Sequence, residues 1–353
     1  MQTKVITIDD SSLHSQKSKL QEIAYFIKRG DLVACPTETV YGLCGNGLDS
    51  NSTKKIYEAK GRPSDNPLIL HIASFEMLEN VAKTVPHKAK KLIDAFWPGA
   101  LTIILEKQDC VPYETTGGLE TVAVRMPSNE IILEIIKLSG LPLAAPSANI
   151  SGKPSPTKAE HVIEDLSSKI ACIVDGGDCK FGVESTIIDC TKDIPVLLRP
   201  GSITISMIEK VIGKISVDKS ITEKSPVNKP MAPGMKYKHY APNAKITLVT
   251  SDNVKDIPSE IIKLVKKCES NKKIAIICTD ETEGLYKDLD VLIFSLGTRE
   301  DLNTITKKLF HGLRDMDKNN IDIAFCEGFS ENEEGLAIMN RLVKASGYNV
   351  IKK

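Results

Sequence analysis

The sequence has no excess of either charge. Lys and Arg together number 46, as do Asp and Glu, so the formal net charge is zero. Proteins that bind nucleic acid in bulk usually carry a basic surplus, because neutralisation of phosphates drives their affinity. The balanced charge therefore disfavours a general nucleic-acid-binding protein, while leaving room for a local basic patch.

Disulfide and metal-binding patterns are also missing. The nine cysteines are odd in number and contain no CxxC pair, which argues against a disulfide framework and a zinc ribbon. Most of them lie in apolar runs such as LVACP and IAIICT, so we expect reduced, buried thiols. The six histidines form no HxxxH pair, and the sequence predicts no metal site.

Targeting and membrane-spanning patterns are absent as well. The stretch MQTKVITIDD lacks the apolar core of a signal peptide. No run approaches the roughly 18 apolar residues that a membrane span requires. We therefore expect a cytoplasmic protein without a membrane partner.

The sequence lacks the common nucleotide and hydrolase signatures. It contains no GxxxxGK[ST] motif, and its glycine-rich stretch GLCGNGLDS does not make GxGxxG. No GxSxG elbow is present. These absences disfavour a P-loop ATPase, a Rossmann dehydrogenase and a serine hydrolase.

The segments that are present predict two α/β domains joined by a linker. A chain of 353 residues is long enough for two cores. Residues 1–213 alternate short β-branched strands with helices, and residues 244–353 alternate more regularly, which favours a parallel, doubly wound sheet. Residues 214–243 are rich in Pro and Lys and have no apolar period, which is typical of a linker. The main helices are predicted over residues 17–30, 51–60, 86–96, 130–140, 258–269, 300–317 and 334–346.

Polar words flank five of the predicted strands of the first domain: ACPTETVYG, AVRMP, LAAPSANISGKPSPT, FGVESTI and LLRPGS. Ligands of α/β sheets bind beyond the ends of strands. We therefore expect these loops to converge on one pocket lined by hydroxyl groups, backbone donors and arginines.

Four cations give this expected pocket its character. Lys60, Arg62, Arg125 and Arg199 all lie close to a glycine or a proline. Guanidinium groups match the oxygens of a carboxylate or a phosphate two at a time. Taken singly, each arginine is compatible with a surface ion pair, and His71 with a core histidine. Together they predict a site for a nucleoside triphosphate, or for a carboxylate and a phosphate.

The same words resemble one known family. PTETVYGL, KGRPSDNPLILHI, WPGALTIIL, VAVRMP, PSANISGKPSPT, VDGG, ESTIIDCT and LLRPGSI look like the motifs of the YrdC/Sua5 family, in order, over roughly residues 12–212. The later APGMKYKHYAP resembles the linker of the two-domain Sua5 branch, and the chain after it fits the Sua5 C-terminal domain. The resemblance thus covers nearly the whole chain.

The resemblance implies a fold and a reaction. The family has a twisted α/β sheet with a positive concave cleft, and its Sua5 branch adds a smaller C-terminal Rossmann-like domain. It makes threonylcarbamoyl-AMP and pyrophosphate from L-threonine, bicarbonate and ATP, with Mg²⁺ accompanying ATP. The product serves the threonylcarbamoyl modification of adenosine 37 in tRNAs that read ANN codons. A tRNA threonylcarbamoyl-transfer machinery is therefore the implied partner.

The resemblance also assigns roles to individual residues. Lys60 and Arg62 form the K-x-R pair of the family, and Ser147 and Asn149 its S-x-N pair, with the first two as the catalytic phosphate clamp. Gly61 is expected to let the backbone approach the phosphates. The implied ATP contacts are Lys60, Arg62, Asn66, Thr121, Ser147, Asn149, Ser155, Arg199 and one or more of Tyr237, His239 and Tyr240 in the linker. The implied threonine contacts are Thr39, His71, Arg125, Ala145 and Ser185.

Two other functions stay open at this point. A non-catalytic module could use the same positive cleft for double-stranded RNA or tRNA. A carbamoyl-transfer domain, as in hydrogenase maturation, is also related, but the Sua5-type linker and companion domain disfavour it. Release of pyrophosphate that depends on threonine separates the enzyme from the binding module.

Overall fold

The computed structural model describes residues 2–222, 231–233 and 239–353, which form two compact units. Unit 1 comprises Met1–Ser151, Ser155–Lys180 and Glu184–Lys236. Unit 2 comprises Gly152–Pro154, Phe181–Val183 and Tyr237–Lys353. Unit 2 therefore takes two short segments from the part of the chain that otherwise builds unit 1, a division that the sequence pattern does not indicate. Parts of the predicted linker, including Tyr237, lie outside the described residues.

Unit 1 contains a mixed sheet of eleven strands in the order β1-β8-β2-β3-β7-β4-β6-β5-β9-β10-β11. Its strands are β1 (Lys4–Thr7), β2 (Val33–Cys35), β3 (Gly42–Asn46), β4 (Ile69–His71), β5 (Leu101–Glu106), β6 (Thr121–Arg125), β7 (Leu143–Ala144), β8 (Cys172–Asp175), β9 (Thr186–Asp189), β10 (Val196–Arg199) and β11 (Ser216–Val217). This arrangement confirms the prediction of an α/β fold for the first part of the chain.

Nine α-helices accompany this sheet among the described residues, preceded by a 3₁₀ segment over Asp10–Gln16. They are α1 (Lys17–Lys28), α2 (Ser50–Lys60), α3 (Phe75–Val81), α4 (His87–Phe96), α5 (Tyr113–Thr116), α6 (Glu130–Ser139), α7 (Ala159–Leu166), α8 (Ile205–Ile212) and α9 (Lys219–Thr222). The sequence dictates α6 clearly: the Asn129 side chain accepts from the Ile132 N–H at its start, and Gly140 ends it with φ 69°.

The strand registers determine which loops can meet. Strand β3 runs antiparallel to β2 and to β7, and β7 runs antiparallel to β4. The ends of β2 and β7 therefore lie with the starts of β4 and β6, which are parallel to each other. Strand β5 is antiparallel to β6 and parallel to β9, and β9 is antiparallel to β10. The ends of β4, β6 and β10 therefore lie at the opposite side of the sheet, together with the start of β9. The five polar loops thus come from two sides of the sheet, so they can meet in one pocket only where a loop reaches across it.

Unit 2 is built on five parallel strands in the order β14-β13-β15-β12-β16. The strands are β12 (Lys245–Thr250), β13 (Ile274–Cys278), β14 (Leu292–Ser295), β15 (Ile323–Glu327) and β16 (Val350–Lys352), with helices α10 (Ile257–Val265), α11 (Leu302–Lys318) and α12 (Glu334–Ala345) between them. The parallel sheet predicted from the alternating pattern is confirmed. Across the described ranges, no helix is long and apolar enough to cross a membrane.

Candidate active site

The first cluster of the site forms where α2 ends. Lys60 is the last residue of this helix and is only 2% exposed. Its Nζ donates to the carbonyl oxygens of Ser147 at 2.5 Å and Asn149 at 2.6 Å. The Ser147 hydroxyl donates in turn to the Asn149 Oδ1 at 2.6 Å. The structure therefore brings the predicted K-x-R and S-x-N motifs together, and a cation at the carboxyl end of a helix also complements the helix dipole.

Arg62 completes this cluster from the turn that follows. Its Nη2 donates to the carbonyl oxygens of Asn66 at 3.2 Å and Pro67 at 3.1 Å, so the side chain folds back onto its own loop. The Asn66 Oδ1 is buried and has no hydrogen-bond partner among the described residues. Burying an amide oxygen without a hydrogen-bond donor costs free energy. Such an unpaired oxygen is typical of a group that binds a ligand. We call Lys60, Arg62, Asn66, Ser147 and Asn149 the phosphate-side cluster.

Gly61 has a local role that the sequence reading did not give it. It terminates α2 in the left-handed region, at φ 60°, which glycine adopts without strain. A Cβ atom at this position would meet nothing within 4 Å. The glycine is therefore explained by the helix end alone, and the approach of a phosphate to its open side stays a prediction.

The second cluster forms around Arg125, the last residue of β6. Arg125 is 3% exposed, and its Nε donates to the Gly99 carbonyl at 3.1 Å. Its Nη1 donates to the Thr39 Oγ1 at 2.8 Å, and its Nη2 pairs with the Glu38 Oε1 at 2.7 Å. The loop after β2 thus reaches across to the end of β6 and joins the two sides of the sheet. We call Glu38, Thr39, His71 and Arg125 the Arg125 cluster.

The two threonines of this loop form a chain of hydroxyl groups with a fixed direction. The Thr37 Oγ1 lies 2.6 Å from the Val40 carbonyl, so its proton is donated there. The 2.8 Å bond between the two hydroxyl groups must then be donated by Thr39. Because Thr39 spends its proton on Thr37 and accepts from Arg125, it can offer a ligand only an acceptor.

Two titratable groups of the Arg125 cluster have shifted pKa values. Burial raises the pKa of Glu38, but the Arg125 charge and the hydrogen bonds from Ser128 and Arg125 outweigh it, so the pKa lies below its usual value. Burial, helped by the Arg125 charge, lowers the pKa of His71 to about 3. Glu38 is therefore an anion at neutral pH and His71 a neutral imidazole, so the charges within the cluster cancel.

Arg199 and Ser185 lie together at the same side of the sheet. The Arg199 Nε donates to the Ser185 carbonyl at 3.0 Å and its Nη2 to the Ser185 hydroxyl at 3.1 Å. The Thr102 hydroxyl shares a 2.7 Å bond with the same serine. The Arg199 charge also contributes to the lowered pKa of His71. Arg199, which the resemblance assigns to ATP, is thus tied directly to a residue assigned to threonine.

The linker touches this region through its short described piece. The Arg199 Nη1 donates to the Pro233 carbonyl at 3.4 Å. Ala232 is fully buried in an apolar cluster that includes Ile69 and Leu198. Residues 231–233 therefore pack on the sheet of unit 1 beside Arg199.

The remaining predicted residues fall at several places. Thr121 begins β6 while Arg125 ends it, which separates them by about 13 Å along the strand. Ala145 follows β7 and donates its N–H to the Ile69 carbonyl at 3.0 Å. The Ser155 hydroxyl donates to the Glu184 Oε1 at 2.5 Å. The register thus puts Thr121 on the side of Asn66, and most predicted ATP residues lie on that side, with His71, Arg125 and Ser185 on the other.

The linker aromatics are seen in part. Tyr237 lies outside the described residues. Tyr240 belongs to unit 2, where its ring lies 5.1 Å from that of Phe310 and 6.0 Å from the Arg341 guanidinium. His239 lies beside it, with ring centroids 5.6 Å apart. Tyr240 is 5% exposed.

The sequence reading missed one residue of the site. Glu38 stands between two threonines in PTETVYGL and received no role. The sequence did contain a signal for it, because Glu38 is an acidic residue in a loop otherwise expected to bind anions. A buried anion requires a cationic partner.

The chain matches two family models. The model described as "Telomere recombination" (Sua5_yciO_yrdC) covers residues 25–201, and that described as "Threonylcarbamoyl-AMP synthase, C-terminal domain" covers residues 203–347. A threonylcarbamoyl-AMP synthase of Pyrococcus abyssi is 53% identical over 95% of this chain and 96% of its own length. One of Bacillus subtilis is 47% identical over the full length of both chains.

The chain belongs to the Sua5/YrdC family, in its two-domain Sua5 form. A crystal structure of Pyrococcus abyssi Sua5 in complex with L-threonine superimposes with a TM-score of 0.92 at 48% identity, covering 99% of this chain and 100% of that one. The Sua5 fold predicted from the motifs is thus confirmed over both units.

Proposed function

We propose that this Sua5 protein is a threonylcarbamoyl-AMP synthase, a nucleotidyltransferase that uses L-threonine, bicarbonate and ATP. Two full-length relatives carry that name, and a relative of the same fold binds L-threonine. The observation that carries the proposal is the arrangement of unit 1, where one sheet supports a phosphate-side cluster and a buried arginine with N–H groups to spare. The alternative of a double-stranded RNA module finds no such support.

The reaction needs positioning more than it needs a nucleophile on the enzyme. The threonine nitrogen forms a bond to CO₂ derived from bicarbonate, which gives N-carboxythreonine after loss of a proton. An oxygen of the new carboxylate attacks the α-phosphorus of ATP, and the bond to the leaving pyrophosphate breaks. Since two anions must approach each other, fixed cations and correct orientation supply most of the rate enhancement.

The clusters divide this work between them. Lys60 and Arg62 are placed to neutralise the phosphates, with Asn66, Ser147, Asn149, Thr121 and Ser155 around the nucleotide. Arg125 receives the threonine carboxylate, with Thr39, His71, Ala145 and Ser185 around it. Arg199 lies against Ser185 and is therefore placed to bridge the two substrates.

Mg²⁺ is expected to enter as the complex with ATP. The five residues of the phosphate-side cluster carry no carboxylate, so they suit phosphate oxygens rather than a resident metal ion. The metal would neutralise charge on the departing pyrophosphate, and Lys60 and Arg62 would supply positive charge from the protein side.

We expect the linker to cover the reacting groups. Its residues 231–233 pack beside Arg199, and Tyr237, His239 and Tyr240 follow. A cover over the pocket would exclude water, which hydrolyses a carbamate intermediate. The finished adenylate then passes to the machinery that modifies adenosine 37 of tRNA in the cytoplasm.

Pyrophosphate release tests the proposal directly. The purified protein with ATP and Mg²⁺ is expected to release pyrophosphate only when L-threonine and bicarbonate are both present. Mass spectrometry should detect threonylcarbamoyl-AMP in the same mixture. Release that does not depend on threonine, or no release at all, would reject the enzyme and leave RNA binding to be tested.

A further inference from the structure

The side chain of Tyr57 lies against the backbone that carries part of the phosphate-side cluster. Tyr57 stands on α2, three residues before Lys60, and is 6% exposed. Its hydroxyl lies 3.1 Å from the carbonyl oxygen of Asn66 and 3.1 Å from that of Glu114, which belongs to α5. A tyrosine hydroxyl has one proton, which these two carbonyls share. Tyr57 therefore connects three segments, namely α2, the loop that contains Asn66, and α5.

The Asn66 carbonyl accepts hydrogen bonds from two side chains. Besides Tyr57, the Arg62 guanidinium donates to it through Nε at 3.3 Å and through Nη2 at 3.2 Å. The proposed function requires Arg62 to donate to phosphate oxygens, and those anionic acceptors compete with a neutral carbonyl for the same N–H groups. A buried carbonyl that loses its donors costs free energy. The Tyr57 hydroxyl is a donor that does not depend on the direction of Arg62.

The same carbonyl fixes the position of the Asn66 side chain. Asn66 is 1% exposed, and its Oδ1 has no hydrogen-bond partner among the described residues. The Asn66 N–H donates to the Pro63 carbonyl at 3.3 Å, which is a long bond. Two residues later, the Leu68 N–H donates to the Thr115 carbonyl of α5 at 2.9 Å. The loop is thus held on α5 by its backbone, and Tyr57 ties it to α2 as well.

The Tyr57 hydroxyl keeps its proton at neutral pH. Burial raises its pKa to about 12, although the Arg62 charge acts in the opposite direction. The hydroxyl is therefore a neutral donor in the pH range in which ATP is fully charged.

We propose that Tyr57 is a positioning residue for the nucleotide. Its hydroxyl keeps the Asn66 carbonyl paired, and thereby keeps the Asn66 amide in place, when Arg62 turns its N–H groups to the phosphates of ATP. This inference rests on the proposed function, because it concerns how the phosphate-side cluster of that enzyme is assembled. Tyr57 acts through Asn66 and does not contact the substrate itself.

The test removes the hydroxyl and keeps the ring. Tyr57→Phe should fold, because the Thr53 and Thr115 hydroxyl groups, 3.0 Å apart, still tie α2 to α5, and circular dichroism checks this. Isothermal titration calorimetry gives the Kd of the β,γ-imido analogue of ATP with Mg²⁺, and that of L-threonine. The affinity for the analogue should fall about 5-fold, as expected for one neutral hydrogen bond, while the Kd of threonine stays within about twofold.

A double-mutant cycle separates positioning from a purely structural role. Because positioning acts through the Asn66 amide, Tyr57→Phe should cost much less in a protein that already carries Asn66→Ala. The further loss of affinity for the ATP analogue should then be about twofold or less. If the two changes multiply, Tyr57 does not act through Asn66, and the inference is overturned.

Tyr286→Phe in unit 2 is the matched control. It also removes a buried hydroxyl, one that donates to Glu327 at 2.6 Å, and it should leave both Kd values unchanged. An equal loss in the two tyrosine variants, or an unchanged Kd of the analogue in Tyr57→Phe, would overturn the inference.

The failure of this inference can be told apart from the failure of the proposed function. If the wild-type protein releases pyrophosphate with threonine while Tyr57→Phe binds the analogue normally, the inference alone fails. If the wild-type protein binds the analogue and Tyr57→Phe weakens it, but threonine brings no release of pyrophosphate, the proposed reaction fails and the positioning role stands. If the wild-type protein binds no analogue and releases no pyrophosphate, both fail.

Discussion

The two units each contain a buried glutamate that pairs with an arginine at 2.7 Å, and the two pairs differ in what surrounds them. In unit 2, Glu327 is fully buried, and both of its oxygens are bound: Oε2 by Arg299 and Oε1 by the Tyr286 hydroxyl at 2.6 Å. In unit 1, Glu38 uses one oxygen twice and leaves the other without a donor. Both oxygens of the Glu327 carboxylate thus have a donor, whereas one oxygen of the Glu38 carboxylate has none among the described residues, although each arginine has one nitrogen without a hydrogen bond.

The two arginines also differ in the backbone segments that they contact. The Arg299 side chain also donates to the Gly328 carbonyl at 3.0 Å and lies 4.6 Å from the Phe329 ring centre, both just after β15. Arg125 instead draws on the loop after β2 and the turn before β5. Arg125 thus joins separate parts of the sheet of unit 1.

The largest expected effect comes from removing Lys60, the cation of unit 1 that we assign to the phosphates of the substrate. Lys60→Ala should lower kcat about 10³-fold, because a positioned charge that meets transition-state phosphate is lost. The measurement is pyrophosphate release at saturating ATP and threonine.

Lys107→Ala is the matched control for that prediction. Lys107 is also buried, and its Nζ also donates to a carbonyl, that of Val111 at 3.1 Å. It should lose stability without a comparable loss of turnover. If both variants lose only stability, Lys60 is as structural as Glu327, and the phosphate clamp is wrong.

The next largest effect concerns Glu327 and Arg299 of unit 2. Glu327→Gln should lower the free energy of unfolding by about 3 kcal/mol, because it leaves the Arg299 charge without its partner. Tyr286→Phe removes only the second bond and should lower it by less. Chemical denaturation measures both, while threonine-dependent pyrophosphate release at 25 °C should stay within about twofold of wild type. A large loss of turnover in folded protein would show that the unit 2 pair serves catalysis too.

A pH titration sharpens the comparison on the side of unit 1. The pKa of His71 falls from about 6.5 in the unfolded chain to about 3 in the folded protein, so the unfolded state takes up the proton first as the pH drops. The resulting stability is complete above pH 6.5 and declines below it. Between pH 7 and pH 5 it should fall by about 2 kcal/mol.

The measurement is chemical denaturation at several pH values. His71→Asn should remove this part of the slope, whereas His14→Asn, at an exposed position, should keep it. Glu38 has a lowered pKa as well, but its contribution is lost at lower pH, near the ordinary range of a glutamate. A slope that survives in His71→Asn would mean that His71 is not buried in its neutral form.

The sequence predicted the main helices and most strands of both units, because each carries its own apolar period. It did not predict β3, which contains two glycines and no alternation and becomes a strand by pairing with β2 and β7. These glycines serve packing: a Cβ on Gly45 would lie 2.6 Å from the Ser52 Oγ of α2. Close approach of two elements is a tertiary fact that a single sequence does not encode locally.

The candidate site shows the same limit. The resemblance assigned Lys60 and Asn149 to one nucleotide and phosphate region, and the two residues are in contact. The burial of Arg125 was not predicted. The motifs did not predict that the loops come from two sides of a mixed sheet. Strand direction depends on pairing between segments that are far apart in the sequence, and a local motif does not encode that pairing. For the same reason the sequence could not show that Glu38 reaches Arg125 or that one of its oxygens lacks a donor.

The smallest expected effect tests whether the open space beside the Gly61 backbone is where the phosphates bind. Gly61 and Gly140 both end helices in the left-handed region, at φ 60° and 69°, and a Cβ atom on either would meet nothing within 4 Å. Each change to Ala should therefore lower the free energy of unfolding by about 1 kcal/mol, from backbone strain alone. Only Gly61→Ala should also raise the KM for ATP, because we place the phosphates beside Lys60 and not beside α6. Equal KM values in the two variants would confine Gly61 to ending its helix and would leave the phosphate contact to the side chains.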